Sequence, residues 1–170
     1  MRRWPSILLC FGVGVLLLVA PAARSAAGAR RVDVQVFFAS NPASYSDPTF
    51  VVPVIRLTTR ADVATFAIEQ LIAGPSQSES ARGLFAPIRL TGWSNCTGRD
   101  FMLSIAQGRR VATLEFCRRV SSSGVGDDIL IQTSIRRTLR QFPTVSSVII
   151  LTENSRCFGD VSGADTCRKP

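Results

Sequence analysis

The stretch that decides the fold is ADVATFAIEQLIAGP, residues 61–75. Its apolar residues recur three and four positions apart, which predicts an amphipathic helix over residues 61–73. Gly74-Pro75 ends this helix, because glycine adopts the conformation of a helix terminus and proline cannot continue the turn. The face that points to the core consists of Val63, Phe66, Ala67 and Leu71, widened by Ala64, Ile68 and Ile72.

Two strands are predicted before this helix. Residues 32–38 alternate between apolar and polar and then become continuously apolar, which is typical of a strand with one buried face. Residues 50–57 form the second strand, in which Pro53 marks a sheet edge or a bulge. Between them, residues 41–49 are rich in proline and serine and read as a loop.

Three further strands and a helix are predicted after it. Residues 101–105 and 111–116 are predicted to form a hairpin around a turn at residues 107–109. Residues 88–90 could form a further short strand. A second helix runs from Asp127-Asp128 to about Phe142, and its inner face consists of Ile131, Ile135, Leu139 and Phe142. Residues 145–152 form the last strand. The order β-β-α-β-β-α-β predicts an α+β single domain with two helices packed on one mixed sheet.

Residues 1–25 are predicted to be a cleaved secretory signal peptide. Arg2 and Arg3 precede an apolar run at residues 7–20, and small residues follow it. The run is shorter than the roughly 20 residues of a membrane-spanning helix, which disfavours the alternative of an uncleaved anchor. The whole chain carries a net charge of +8. Removal of three arginines with the signal leaves seventeen basic and twelve acidic residues, a net charge of +5.

The sequence contains no histidine, which excludes Ser-His-Asp and Cys-His catalysis and the usual zinc and haem ligand. No Gly-x-Ser-x-Gly is present, and Gly124-Val125-Gly126 completes no phosphate-binding motif. We therefore predict a protein that is not an enzyme and has no cofactor and no metal site. The alternative is a small secreted hydrolase or ligand-binding protein that uses carboxylates such as Glu115 and Asp128. Asp127 and Asp128 also suit the first turn of a helix, where acids stabilise its dipole.

Four cysteines remain after the signal, and an even number in an exported chain predicts two disulfides. Three pairings are possible. We favour Cys96–Cys117, which closes the predicted hairpin, and Cys157–Cys167, which pins a tail at residues 153–170. A four-cysteine zinc site is the alternative, but the spacing contains no Cys-x-x-Cys pair.

Clustered arginines are the clearest functional signal. They predict a basic interaction face for anionic envelope polymers, lipid head groups or an acidic partner, although a simply solvated surface remains open. Nucleic acid is disfavoured by export and by the lack of interleaved aromatic residues. The predicted face consists of Arg109, Arg110, Arg118, Arg119, Arg136, Arg137 and Arg140.

Three segments resemble the GerMN domain, the sporulation and spore-germination module of bacterial envelope proteins. They are Pro53-Val54-Ile55-Arg56, the helix exit within residues 64–75, and residues 138–148, TLRQFPTVSSV. The resemblance covers about residues 32–152. It implies a small α/β domain outside the cytoplasmic membrane, secreted or in the cell envelope, that interacts with an envelope protein or an anionic cell-wall polymer. It provides no catalytic residues. From the signal segment, contact with the membrane is expected only if the signal stays uncleaved. The resemblance does not imply a germination role, because such domains also occur in bacteria that make no spores.

Overall fold

The computed structural model describes residues 30–168, so the predicted signal at residues 1–25 lies outside the described residues. The strands are β1 (Val32–Ser40), β2 (Val52–Thr58), β3 (Leu84–Phe85), β4 (Leu90–Thr91), β5 (Phe101–Ala106), β6 (Val111–Phe116), β7 (Arg119–Val120) and β8 (Ser147–Leu151). The helices are α1 (Ala43–Ser46), α2 (Val63–Ala73), α3 (Gln77–Ser80) and α4 (Val125–Arg140), followed by a 3-10 turn at Thr166–Arg168. Within this range, no helix has the length and apolar character needed to cross a membrane.

The α+β class is confirmed, but the strands do not form the single mixed sheet that the sequence predicts. They form three ladders, in the orders β2-β1-β3, β4-β7 and β5-β6-β8. Only the last is mixed, because β6 pairs antiparallel with β5 and parallel with β8. One physical reason for the division is that Thr138 of α4 and Gln141 at its end bond to the second edge of β1, where β3 pairs only with the last two residues. The short elements α1, α3, β3, β4 and β7 are additional to the predicted order.

The core lies between β1, the two long helices and the inner face of the β5-β6-β8 ladder. α2 buries Ala64, Ala67, Ile68 and Leu71, so its inner face is rotated relative to the predicted one, and Val63 and Phe66 are only half-buried. α4 ends at Arg140, so Phe142 packs on the core from the following turn. Each large side chain that is fully buried stabilises the fold by about 1.5–3 kcal/mol relative to exposure.

A half-buried ion pair fastens α3 to β2. Arg56 donates to both carboxylate oxygens of Glu79, from Nη1 to Oε1 at 2.8 Å and from Nη2 to Oε2 at 2.6 Å. Glu79 also closes a capping box at the start of α3, because its Oε2 accepts from the backbone N–H of Ser76. The Arg56 guanidinium lies 5.5 Å from the centre of the Phe38 ring. These contacts hold the pKa of Glu79 down, from 4.5 to about 2, chiefly through the hydrogen bonds from Arg56.

Two disulfides staple the loops, and they are the pairings that the sequence favours. Cys96–Cys117 joins the entry of the β5–β6 hairpin to its exit, with 5.4 Å between the Cα atoms. Cys157–Cys167 closes the tail, with 5.9 Å between the Cα atoms. The loop that this bond closes begins beside β8, where Phe158 donates its backbone N–H to the carbonyl of Ile150 at 2.9 Å.

Candidate functional site

A groove of about 770 Å³ lies between the outer flank of α2 and the free edge of β5. Thr65 and Glu69 line it from the helix, and Phe101 and Leu103 line it from the strand. The local sequence explains this placement: Asp62, Thr65 and Glu69 are three and four positions apart and therefore share the helix face that α2 does not bury. The groove thus combines a helix flank with a strand edge.

One end of the groove carries most of its charge. Arg60 donates to Asp62 at 2.9 Å from Nε and at 2.5 Å from Nη2, and it also bonds both oxygens of Glu69. The hydrogen bonds that Arg60 donates, first to Asp62 and then to Glu69, raise the pKa of Arg60, and those to Asp62 lower the pKa of Asp62. Counting every charged side chain that lines the groove, two arginines meet four carboxylates, a net charge of −2. The groove is therefore acidic in a protein of opposite overall charge.

The other end of the groove is apolar. It continues into a mostly apolar hollow of about 500 Å³ that shares Asp62, Thr65 and Leu103 with the charged part. Ile105 of β5 and Phe142, in the turn after α4, line this hollow, and both are half-buried. Side chains that are partly open beside a helix flank can still bury apolar area when a partner covers them.

The arginines of the predicted basic face do not form one cluster. Arg109 and Arg110 precede β6, whereas Arg118 and Arg119 follow it, about 25 Å away along an extended chain. Arg118 is engaged by Asp100 at 3.1 Å and by the carbonyl of Gly92 at 3.0 Å.

The arginines of α4 remain together on one exposed helix surface. Arg136, Arg137 and Arg140 are all exposed, and within residues 30–168 none of them has a carboxylate within 4.0 Å. Burial of its stem, together with the charge of Arg140, lowers the pKa of Arg136. Arg110 also reaches towards the end of this helix, since it donates to the carbonyl of Pro143 at 2.7 Å. The basic surface that the structure assembles is therefore the end of α4, not all seven residues.

The two carboxylates of the alternative enzymatic hypothesis occupy different environments. Glu115 lines the groove and accepts a hydrogen bond from the Ser155 hydroxyl. Asp128 lies in the first turn of α4, beside Gly159, and is not among the groove residues. Asp127 accepts a hydrogen bond from the backbone N–H of Ser123 at 2.9 Å, so it provides the partner for a backbone group just before α4. The hydrogen bonds from Ser123 lower the pKa of Asp127.

One cluster of side chains near the tail consists of residue types that can bind a metal ion, but its carboxylates accept hydrogen bonds within the tail itself. The ligand atoms of Cys157, Asp160 and Asp165 lie within 4.8 Å of one another. However, the Cys157 sulfur belongs to a disulfide, and the Asp165 Oδ1 accepts the Cys157 backbone N–H at 2.8 Å. Asp160 accepts from Ser162, which lowers its pKa. The carboxylates are thus committed to holding the tail.

Of the groove residues, sequence reasoning singled out only Glu115, and as a possible catalytic carboxylate. The signal present in the sequence is the polar stripe of Asp62, Thr65 and Glu69 on α2. It is easily missed when only the buried face of the helix is considered. The partner element was not available from the sequence, since nothing in residues 101–106 shows that this strand is left at a sheet edge.

Fold and surface together define an α+β domain with one long open groove and a basic helix end. The model of the Germane family, described as sporulation and spore germination, matches residues 35–156, and the chain belongs to this family. Among solved structures, the tandem GerMN domains of the sporulation protein GerM from Bacillus subtilis match with 22% identity and a TM-score of 0.47. That match covers 86% of this chain and 47% of the solved one, so the chain spans about half of its length. No curated protein matches the chain.

Proposed function

We propose that this chain is an exported, non-catalytic recognition domain that binds a protein or an anionic polymer of the bacterial cell envelope. The observation that carries the proposal is the groove between α2 and β5, whose charged and apolar ends lie along one strand edge. Polar groups that fix orientation beside apolar area that supplies affinity are typical of recognition surfaces.

Two further observations support export and assembly. The two disulfides agree with an oxidising compartment outside the cytoplasm, where such bonds persist. Membership of a family described by sporulation and spore germination agrees with a role in building or remodelling the cell envelope.

Site-specific photo-cross-linking in the native bacterium tests the proposal. A photoreactive amino acid is placed at Thr65 in the groove, and the matched control carries it at Arg82, which is exposed in the turn after α3. We expect a discrete protein adduct from position 65 and none from position 82. Identical adducts from both positions, or none from either, would contradict recognition of a protein through the groove.

The end of α4 is the second candidate surface, for an anionic polymer. Its three arginines have no neighbouring carboxylate in the described part of the chain, so an anionic partner would meet charge that is not already neutralised. The test is co-sedimentation with purified peptidoglycan sacculi for the variant Arg136→Glu, Arg137→Glu and Arg140→Glu. The control, Arg30→Glu, Arg31→Glu and Arg82→Glu, changes the net charge equally at other exposed positions. We expect only the α4 variant to lose binding, and equal loss in both variants would mean a diffuse charge effect.

A further inference from the structure

The long strands have four outer sheet edges, and residues of this chain cover three of them, fully or in part. On β1, the Gln141 side chain accepts the N–H of Gln35 at 2.8 Å and donates to its carbonyl at 2.6 Å. Thr138 continues this cover by accepting the N–H of Phe37 at 3.1 Å. The amide of Gln141 thus replaces the peptide group of a neighbouring strand.

The edges of β8 and β2 are covered in different ways. The disulfide-closed tail bonds to β8, through Phe158 to Ile150 and through Thr152 to Arg156. The cover of β2 is partial: Pro53 has no N–H to offer at its outward position and the Arg56 guanidinium lies 3.4 Å from the carbonyl of Ile55, but the outward N–H groups of Ile55 and Leu57 have no partner within residues 30–168. Proteins commonly protect edges by such means, because an open edge can pair with another chain.

The edge of β5 differs because none of its outward positions is covered. Cys117 donates its backbone N–H to Asp100 at 2.8 Å, which sets the phase of the hairpin ladder. Since bonding groups alternate along a strand, Phe101, Leu103 and Ile105 point theirs away from β6 and into the groove. Within residues 30–168 these groups have no hydrogen-bond partner. The groove therefore contains three consecutive bonding sites of a sheet edge.

We propose that an extended segment of another protein fills this groove and adds to β5 as a new edge strand. The proposal rests on the proposed recognition function and names its partner: a β-strand with alternating apolar residues and a basic residue at one end. An added strand lies about 4.8 Å from β5, and residues opposite Leu103 and Ile105 share their face of the sheet. Those residues would pack between α2 and Phe142 in the apolar hollow.

The charge of the groove specifies the basic residue. The acidic end is the part that includes Phe101, because Glu69, Asp100 and Glu115 line it together with Arg99, whereas none of these residues lines the apolar hollow. A lysine or arginine of the partner at this end would meet the net negative lining, whereas an acidic residue would be repelled. Placement of the basic residue at this end also fixes the register of the added strand.

The same charge argues against a second copy of this chain as the occupant. A twofold-symmetric pairing of two β5 edges would bring two grooves of net charge −2 against each other. A polysaccharide is disfavoured because it offers no backbone amide groups at the spacing of the three edge sites. An extended peptide matches both the spacing and the charge.

The probe is a phage-displayed library of random twelve-residue peptides, selected on the purified, oxidised protein, followed by synthesis of the strongest binder. We expect selected sequences with alternating apolar residues and a terminal arginine or lysine. Binding should slow hydrogen exchange of the Phe101, Leu103 and Ile105 amides at least tenfold. N-methylation of the peptide residues that face β5 should weaken binding at least about tenfold, the loss of about 1.4 kcal/mol of backbone hydrogen bonding. N-methylation of the alternate residues should leave binding unchanged.

Two protein variants and a control complete the test. Leu103→Pro removes an outward N–H without breaking the β5–β6 ladder. Thr65→Arg fills the groove from the helix. If one variant fails to fold, the other still tests whether the peptide binds in the groove. Both should weaken the peptide at least tenfold. Ile55→Pro makes the matched change on the edge of β2 and should have no effect.

Three results would overturn the proposal: no enrichment of peptides, unchanged amide exchange along β5, or equal binding by the groove variants and the control. A dimer that sedimentation detects and Thr65→Arg abolishes would assign the groove to a second copy and would likewise overturn it. A native adduct from position 65 combined with failure of these peptide tests would leave the recognition function standing and remove only the added strand.

Discussion

Replacement of Glu79 by glutamine separates the charge of this side chain from its shape. Glu79 is 8% exposed and serves two elements at once, because it pairs with Arg56 of β2 and accepts the N–H of Ser76 at the start of α3. Glutamine keeps the volume and one acceptor oxygen, so the capping contact can persist. The ion pair cannot, and the Arg56 guanidinium is left half-buried without a counter-charge.

The magnitude follows from the pKa of the carboxyl. A decrease from 4.5 to about 2 corresponds to roughly 3 kcal/mol of preference for the charged form in the folded state. Solvent reaches part of Arg56, whose side chain is 18% exposed, so we expect Glu79→Gln to cost about 2 kcal/mol. For a domain of this size that decreases the melting temperature by about 6 °C.

The pH dependence gives an independent measurement. Because the pKa of Glu79 is lower in the folded state, its stabilisation is complete above about pH 4.5 and is lost as the pH falls towards 2. Urea denaturation followed by circular dichroism should therefore show a steeper loss of unfolding free energy in the wild type than in Glu79→Gln over this range. The two curves should converge at the acidic end.

The control is Glu69→Gln, which breaks an equivalent arginine–carboxylate pair at the surface. The Glu69 side chain is 41% exposed and Arg60 keeps Asp62 as a partner, so we expect a change below about 0.5 kcal/mol. Equal destabilisation by the two substitutions would refute the argument that burial decides the value of the pair. The same conclusion would follow if Glu79→Gln kept the acid dependence of the wild type.

Three other predictions concern the staples, the blocked edge and one turn. Cys96→Ala with Cys117→Ala should lower the free energy of unfolding by about 3 kcal/mol in urea denaturation, and Cys157→Ala with Cys167→Ala by somewhat less. The reason is the size of the closed loops, since the cysteines are 21 and 10 residues apart. A larger loss of stability from the tail pair would contradict this order. Gln141→Ala should speed amide exchange of Gln35 at least tenfold while leaving the β5–β6 ladder unchanged, and equal acceleration in both would indicate general loosening instead. Gly83→Ala should cost about 1–2 kcal/mol, since the backbone has φ +88° and a Cβ would lie 3.0 Å from the Asn41 carbonyl oxygen; Gly92→Ala, with φ +74° and open space, should cost less by thermal denaturation.

Local pattern was sufficient for the elements that local physics determines. The spacing of apolar residues placed α2 and α4, and the turn at residues 107–109 placed the β5–β6 hairpin. Pro53 predicts a sheet edge or a bulge, and the structure has it on the edge strand β2, where a residue without an N–H is tolerated. The disulfide pairings could be favoured because each closes a local loop, and short loops bring their ends together without help from the rest of the chain.

Contacts between segments that are distant in the sequence cannot be predicted from local sequence pattern. Thr138 and Gln141 look like ordinary helix residues, yet they bond to Gln35 and Phe37, about a hundred positions earlier. The Arg56–Glu79 pair joins a strand to a one-turn helix that no periodicity predicts. The division of the basic arginines between the two ends of β6 likewise depends on where the hairpin lies, not on the spacing within it.

The contrast between covered and open sheet edges supports a binding role for the groove. Three kinds of cover, an amide side chain on β1, a disulfide-closed tail on β8 and a proline on β2, lie on the other outer edges of the long strands, although the cover of β2 is partial. An unprotected edge exposes a chain to unwanted pairing, so its retention on β5 needs a compensating reason. Among the long strands within residues 30–168, β5 has the one outer edge without any cover, and this edge lies against a charged and apolar groove. Because α2 limits what can enter and the carboxylates select its charge, the edge can remain open to one class of partner without inviting indiscriminate association.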